Sequence, residues 1–297
     1  MLKTYPLYDL SIIIVNYGTV ECLVRCLDSI YPQVTNCQVI VVDNASCDNS
    51  QDMIKSNFPW VNLIANDQNL GFAKANNQAL EISKGKYVYF LNPDTEVKPG
   101  TIQSIVKFMD YHQDVGLAGT RIISPDGSPQ SSVEKRYPGE NHTKEEVKGL
   151  KGDIAWVLGA SMIVRSSIIE NLKGFDERFF LYGEDQDLCL RIRKLGWIVG
   201  YIQGAVVTHL GGQSERDNLP VEVWGKKFEA ELLFYEKHYT KKSILAIRRA
   251  NLVQAYWRIF TLKLTLPFCR DKRPGLDKLD KYRLVLKTFN TKKIVTV

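Results

Sequence analysis

Tyr87-Val-Tyr-Phe-Leu-Asn-Pro-Asp-Thr95 joins an apolar run to a carboxylate, Asp94, placed just past the run's end. The run reads as a strand buried in a sheet. Asn92 and Pro93 keep it from continuing, because proline has no N–H to give to a ladder. In an open α/β sheet, ligands sit outside the carboxyl ends of the strands. A lone carboxylate there suits a hard divalent cation whose other ligands are water and a diphosphate. A strand followed by a plain Asp-Thr turn accounts for the same residues without any ligand.

Outward from this stretch, strand and helix alternate. Leu10 to Asn16 and Gln38 to Asp43 read as strands buried on both faces, and Val61 to Ala65 as a short third. Helices are expected over Thr19 to Tyr31, stopped by Pro32, and over Asp48 to Asn57, stopped by Pro59. A further helix is expected from Gly71 to Ser83, with Gly85 as its C-cap. Lys86 to Leu91 is the fourth strand, Pro99 to His112 a helix and Val115 to Ile123 a fifth strand. Ser124 to Lys151, rich in Pro, Gly, Ser, Glu and Lys, reads as a mobile surface loop. Asp153 to Arg165 returns to strand, Gly183 to Leu195 is a helix, and Trp197 to His209 is strand again. From Pro220 the pattern is helical. This rhythm implies a mainly parallel sheet with right-handed crossovers, residues 1–219 forming one α/β domain and 220–297 a basic helical extension.

The chain has 297 residues, 44% hydrophobic and 24% charged, which is enough for one large α/β domain and an appendage. Of its cysteines, Cys22 and Cys26 share a helix face and are expected in the core; Cys37, Cys47, Cys189 and Cys269 complete the set. The absence of CxxC pairs and of zinc spacing points to a reducing cytosol. Met1 to Asp9 is polar and Leu10 to Val15 is too short for a signal-peptide core, so a cytoplasmic protein is expected and the sequons at Asn44 and Asn141 should be silent. Residues 237–297 hold 16 Lys and Arg against three Asp and Glu, a net +13; with +6 overall, the rest carries −7. An acidic body with a basic tail suggests two tasks.

Several segments could carry chemistry. Asp43 ends the second strand, where it could accept from a base imide or a ribose hydroxyl, and Asn16-Tyr17 ends the first, with Tyr17 offering a ring for stacking. Asp-Asn-Ala-Ser is equally a helix N-cap. No GxGxxG follows the first strand, which disfavours a Rossmann dinucleotide fold, and no Walker loop appears. Asn69 and Gly71 turn into a helix with Lys74 one turn in; the helix start could face a phosphate, or could be merely capped with a solvated lysine. Glu184, Asp185 and Asp187 crowd one helix start, more acid than capping needs, and crowded carboxylates hold protons more tightly, as a general base should. His209 ends an apolar strand before Gly211 and Gly212, where imidazole can join a carboxylate on Mn²⁺ or Mg²⁺; a lone histidine is also often structural.

Taken in order, these segments resemble an inverting, family 2 type glycosyltransferase with the GT-A fold. The resemblance runs from about Leu10 to Ser214: Asn16-Tyr17, Val-Val-Asp43-Asn-Ala-Ser, Asn69-Leu-Gly-Phe-Ala, Asn92-Pro-Asp94, Gly159-Ala-Ser, Gly-Glu184-Asp185-Gln-Asp187 and His209. The subgroup it is most similar to includes bacterial rhamnosyltransferases that build cell-surface polysaccharide on lipid carriers. The resemblance implies that Tyr17 and Asp43 hold the nucleotide base, with Asn16, Asn69, Gly71, Lys74 and Asn92 around it. It implies that Asp94 and His209 bind a divalent metal, with Asn92 replacing the usual first acid of the DXD motif. Asp185 is then the catalytic base, and Trp156, Gly159, Ser161 and Glu184 line the acceptor pocket. The implied donor is dTDP-rhamnose, or another nucleotide sugar such as a UDP-hexose or UDP-galactofuranose. The implied acceptor is a saccharide, free or on a polyprenyl diphosphate.

The basic tail mixes Trp, Tyr, Phe and Leu with Lys and Arg, which suits helices lying on an anionic membrane, here the inner face of the cytoplasmic membrane. A solvated basic face or a homodimer contact are the other readings. No motif supports nucleic acid as a partner. A nucleotidyltransferase would want a Gly-rich phosphate loop after the first strand, which is lacking; a non-catalytic binding or scaffold module would not need the acid cluster.

Overall fold

A computed structural model describes residues 6–143, 145–213, 218–268 and 270–291. The expectations for Cys269, Ser214 and residues 292–297 lie outside these residues. The chain packs as two compact units. The first comprises Met1–Tyr137, Gly149–Phe180 and Glu184–Ser214; the second comprises Pro138–Lys148, Leu181–Gly183 and Glu215–Val297.

The first unit runs β1 (Tyr8–Asn16), α1 (Val20–Ile30), β2 (Cys37–Asp43), α2 (Ser50–Asn57), β3 (Asn62–Ala65), α3 (Phe72–Ile82), β4 (Gly85–Leu91), β5 (Thr95–Val97), α4 (Thr101–Tyr111) and β6 (Val115–Ile123). It continues with β7 (Val133–Glu134), β8 (Trp156–Val157), β9 (Ser161–Arg165), α5 (Ser166–Asn171), α6 (Glu184–Lys194) and β10 (Ile198–His209). The main sheet has the order β3-β2-β1-β4-β9-β6-β10-β5. The pairs β1–β2, β2–β3, β1–β4 and β6–β10 are parallel, while β9 lies antiparallel between β4 and β6 and β5 lies antiparallel on β10.

Alternation explains why the central strands are apolar throughout. Ile12 and Ile14 of β1, with Tyr87 and Tyr89 of β4, face a layer containing Leu23, Leu27 and Ile105. Ile13 and Val15, with Val88 and Phe90, face the other layer, built on Ala75, Ala79, Leu188 and Ile192. Each strand therefore buries both faces against helices. Cys22 and Cys26 are buried, as expected of core cysteines.

Three local expectations need correction. Gly85 is not a helix C-cap: α3 ends at Ile82, and Gly85 opens β4. A Cβ there would lie 2.3 Å from the backbone nitrogen of Ser11, so only glycine lets β4 lie against β1. Ser124 onward is a built excursion rather than a loose loop. Ser124 N donates to Ser128 O, Gln130 N returns to Ile122 O, and β7 pairs with β8. The buried Tyr137 then donates its hydroxyl to Ala155 O. The strand expected over 153–165 is two strands, β8 and β9, broken by the turn Leu158–Ala160.

The second unit contains α7 (Pro220–His238), α8 (Lys241–Thr265) and α9 (Arg273–Thr291). Phe234, Tyr235, Tyr239, Ile247, Leu279, Val285 and Phe289 are buried in it. Tyr235 and Tyr239 stack at 5.6 Å. Among the described residues no helix is long and apolar enough to cross a membrane.

Candidate active site

The carboxyl ends of β1, β2 and β4 meet the segments after β3 and β8, and polar side chains collect there. Parallel register sets Asn16 beside Asp43. Asn16 Nδ2 donates to Asp43 Oδ2 at 2.9 Å and also reaches Ser46 and Ser50, while its Oδ1 accepts from Thr19. Asp43 Oδ1 accepts from Ser46 N and Gln51 Nε2, both at 3.0 Å. Asp43 is fully buried, so its oxygens serve the corner's own donors and do not lie open to a base, contrary to the expectation. Tyr17, next to this corner, is 43% exposed.

Asn44, buried just past β2, ties this corner to the next turn. Its Nδ2 donates to Asn69 Oδ1 at 2.9 Å and its Oδ1 accepts from Leu70 N at 3.0 Å. Asn69 Oδ1 also accepts from Gly71 N. Gly71 has φ +83°, and a Cβ on it would meet Phe180 atoms at 2.7 Å. The Phe72 N–H already donates to Phe180 O at 2.7 Å. Close packing on Phe180 thus accounts for Gly71 and occupies part of the helix start expected to face a phosphate, while Lys74 projects exposed from the first turn of α3.

Asn92-Pro-Asp94 is held from both sides. Asn92 N donates to Ala160 O at 2.9 Å, and Asn92 O accepts from Thr95 Oγ1. The short edge strand β5, absent from the sequence reading, pairs Thr95 with His209. That register brings Asp94 Oδ1 to 3.4 Å from His209 Nε2, and both residues are buried. Two neighbouring ligands of one small divalent ion at 2.0–2.1 Å would be about 3 Å apart across a right angle, so the pair fits part of a coordination sphere. No group of three or more His, Cys, Asp or Glu that could hold a metal occurs among the described residues, so within them the pair stands alone. Gln130, which no sequence pattern marks, touches His209 twice: Nε2 donates to His209 O at 2.8 Å and Oε1 lies 3.1 Å from Nδ1.

The turn Leu158–Ala160 connects this pair to the acid cluster. Ala160 holds Asn92, and Gly159 N donates to Asp185 Oδ2 at 3.1 Å. Asp185 Oδ1 accepts from Gln186 N at 2.8 Å. Asp185 is therefore tied through the Gly159–Ala160 turn to the Asn92–Asp94 segment, whose Asp94 lies beside His209, all within the first unit. Burial raises the Asp185 carboxyl above the usual carboxylate range, against the lowering effect of the Gly159 and Gln186 N–H groups. Burial also raises Glu184, and the neighbouring Asp185 and Asp187 charges add to it. Glu184 Oε2 is buried without a hydrogen-bond partner among the described residues. Removal from water is thus the first cause of both elevated values, and neighbouring charge adds to it at Glu184 alone.

The remaining expectations divide. Asp187 is no part of the reactive set: it is fully buried and paired with Arg191 Nε at 2.7 Å, one turn along α6. Leu188, Leu190 and Ile192 are buried, whereas Leu195, past the end of α6, is 47% exposed. Ser161 does not face a pocket: it is fully buried and its hydroxyl bonds Tyr89 and Thr120 across the sheet. Trp156 is partly exposed and gives its Nε1–H to Arg136 O at 3.1 Å.

Known proteins resemble this chain in sequence and fold. The model of the family described as "Glycosyl transferase family 2" matches residues 11–173, more than half of the chain. An N-acetylglucosaminyl-diphospho-decaprenol L-rhamnosyltransferase of Mycobacterium tuberculosis is 28% identical over 201 residues, covering 58% of this chain and 66% of the relative, so the chain spans just under two thirds of that protein's length. The rhamnosyltransferase WbbL of Escherichia coli K12 is 24% identical over 264 residues, covering 82% of this chain and 97% of the relative. Among solved structures, the mannosyltransferase PcManGT of Pyrobaculum calidifontis, in complex with GDP-Man and Mn²⁺, superposes with a TM-score of 0.60 at 15% identity, over 98% of this chain and 89% of that one. At that identity the likeness concerns the fold, which is GT-A. With the strand-end carboxylates in place and more than half its length matched, the chain belongs to glycosyl transferase family 2.

Proposed function

We propose that this chain is an inverting, metal-dependent hexosyltransferase of cell-surface polysaccharide synthesis. Its donor is read as dTDP-L-rhamnose, and its acceptor as a saccharide, free or carried on a polyprenyl diphosphate. The observation that carries the reading is the buried Asp185 carboxylate, held by Gly159 in the turn whose next residue, Ala160, anchors the segment bearing Asp94. The printed names of two relatives, both rhamnosyltransferases, support the choice of sugar.

In this reading the nucleotide lies over the corner shaped by Asn16 and Asp43, with Tyr17 stacked on the base and Asn69, Lys74 and Asn92 nearby. Asp185 accepts the proton of an acceptor hydroxyl as its oxygen attacks the anomeric carbon. The bond from that carbon to the diphosphate oxygen breaks on the opposite face, and the configuration inverts. Asp94 and His209 would hold Mn²⁺ or Mg²⁺, which when bound neutralises charge on the departing diphosphate. Glu184 and Trp156 flank the acceptor side. A thermal-shift panel of dTDP, UDP and GDP with their sugars, each with and without Mn²⁺, tests the donor: the largest rise is expected from dTDP-rhamnose with Mn²⁺. No rise with any nucleotide sugar would refute the reading.

We further propose that the helices of the second unit bind the inner face of the cytoplasmic membrane. Val253, Tyr256, Trp257, Phe260 and Leu264 of α8 are spaced along one helix face and are all more than half exposed. Arg249, Arg258 and Lys263 are exposed on the same helix. Aromatic and aliphatic groups with basic neighbours suit an anionic interface. Co-sedimentation with phosphatidylglycerol vesicles at low salt, weakened by Trp257→Ser with Phe260→Ser, is expected. No binding, or concentration-dependent dimerisation through this face instead, would reject the membrane role.

A further inference from the structure

Gln130 and His209 are 79 residues apart in the chain, yet the amide of one grips the other at two points. Gln130 Nε2 lies 2.8 Å from the backbone oxygen of His209. A carbonyl oxygen can only accept, so the NH₂ end of the amide must face it. The second amide hydrogen goes to Ser124 Oγ at 3.1 Å. The amide oxygen is thereby turned toward His209 Nδ1, at 3.1 Å. That oxygen also can only accept, so Nδ1 must carry a hydrogen. Nε2 is then the ring nitrogen free to be bare, and it is the one 3.4 Å from Asp94 Oδ1.

Without this grip the outcome would differ. A carboxylate beside Nε2 favours a hydrogen on Nε2, which would donate to Asp94 and remove the lone pair from the site. We propose that Gln130 is a positioning residue that holds His209 in its Nδ1–H form and so keeps the Nε2 lone pair, beside Asp94, for a divalent cation. The cation half of this inference rests on the proposed metal role of Asp94 and His209; the tautomer half rests on hydrogen-bond geometry alone. A ligating histidine ordinarily gives its other N–H to an oxygen partner, and losing that partner weakens metal binding roughly 10–100-fold.

The chain has four histidines, His112, His142, His209 and His238, so long-range ¹H–¹⁵N correlation spectra of histidine-labelled, metal-free protein above the imidazole titration range resolve each ring. Wild-type His209 is expected to show hydrogen on Nδ1. Gln130→Leu should move it to Nε2, and Gln130→Glu, whose carboxylate still accepts from Nδ1, should keep it in place. Mn²⁺ alone, titrated and read by electron paramagnetic resonance, should bind roughly 10–100-fold more weakly to Gln130→Leu than to wild type, with Gln130→Glu nearer to wild type. A wild-type ring protonated on Nε2 alone would overturn the inference, as would a Gln130→Leu protein with unchanged tautomer and unchanged Mn²⁺ affinity. Wild-type protein in the Nδ1–H form that binds no Mn²⁺ would overturn the cation half. No sugar donor enters either measurement, so failure here is distinct from failure of the glycosyl-transfer reading.

Discussion

Replacing Asp185 with asparagine should remove the reaction and leave the protein folded. The carboxylate accepts one backbone N–H on each oxygen, from Gly159 at 3.1 Å and Gln186 at 2.8 Å. Asparagine keeps one acceptor and turns its NH₂ toward the other donor, an unsatisfied contact costing about 1–3 kcal/mol. Against that stands relief from burying a charge, a burden strong enough to raise the proton affinity of the native carboxyl. The two effects oppose each other, so melting behaviour should change little. Loss of a general base lowers turnover by about 10²–10⁴-fold, or about 3–5 kcal/mol in the barrier. Transfer followed chromatographically, donor affinity by calorimetry and a thermal melt separate the contributions. The expected result is lost transfer with donor affinity retained. Because burial raises the Asp185 proton affinity, wild-type turnover should climb with pH above the ordinary carboxylate range as the base ionises. A folded Asp185→Asn enzyme with near-wild-type turnover would refute the assignment.

Chelation should suppress transfer and Mn²⁺ or Mg²⁺ restore it; full activity of metal-stripped protein would remove the metal claim. Asp187→Ala strands the Arg191 guanidinium, whose side chain is only 15% exposed, and should cost about 3–5 kcal/mol in urea unfolding. Gly85→Ala sets a methyl group 2.3 Å from the Ser11 nitrogen; a loss of at least about 1–3 kcal/mol is expected, and an unchanged midpoint would show that β4 can move away from β1. Glu184 binds its proton more tightly in the folded chain than a free carboxyl does, so its contribution to stability is complete at low pH and is lost as pH rises through the elevated value. The wild-type unfolding free energy should therefore fall at up to about 1.4 kcal/mol per pH unit over that range, and Glu184→Gln should flatten the slope; identical slopes would contradict the burial argument.

Much of this fold is legible in the chain because β1, β2 and β4 are buried on both faces, and a strand of that kind writes itself as a continuous apolar run. Asp94, Asp185 and His209 stand out for a related reason: each interrupts an apolar or helical pattern at its end, where a polar group needs a cause. What escapes is decided by distant partners. Nothing in Thr95–Val97 marks three residues as an edge strand; β10, more than a hundred residues later, makes them one. Ser161 reads as a pocket residue until Tyr89 and Thr120 are seen to take its hydroxyl inside the sheet. Gly85 follows a helix and looks like a cap, but its reason is the backbone of Ser11 on another strand. Gln130 lies in a polar stretch without periodicity, and only the fold carries its amide to His209. The acid cluster was legible as a cluster; that desolvation is what raises Asp185, and the larger cause at Glu184, needs their burial, which sequence does not supply.

That Asp94, His209 and Asp185 serve one reaction centre is tested by a crystal structure of Asp185→Asn protein holding an intact nucleotide sugar with Mn²⁺. The expected result is an anomalous manganese peak bonded to both Asp94 and His209 Nε2, the diphosphate on that ion, and the anomeric carbon facing residue 185. Donor bound away from the carboxyl ends of β1, β2 and β4, or manganese touching neither side chain, would contradict it.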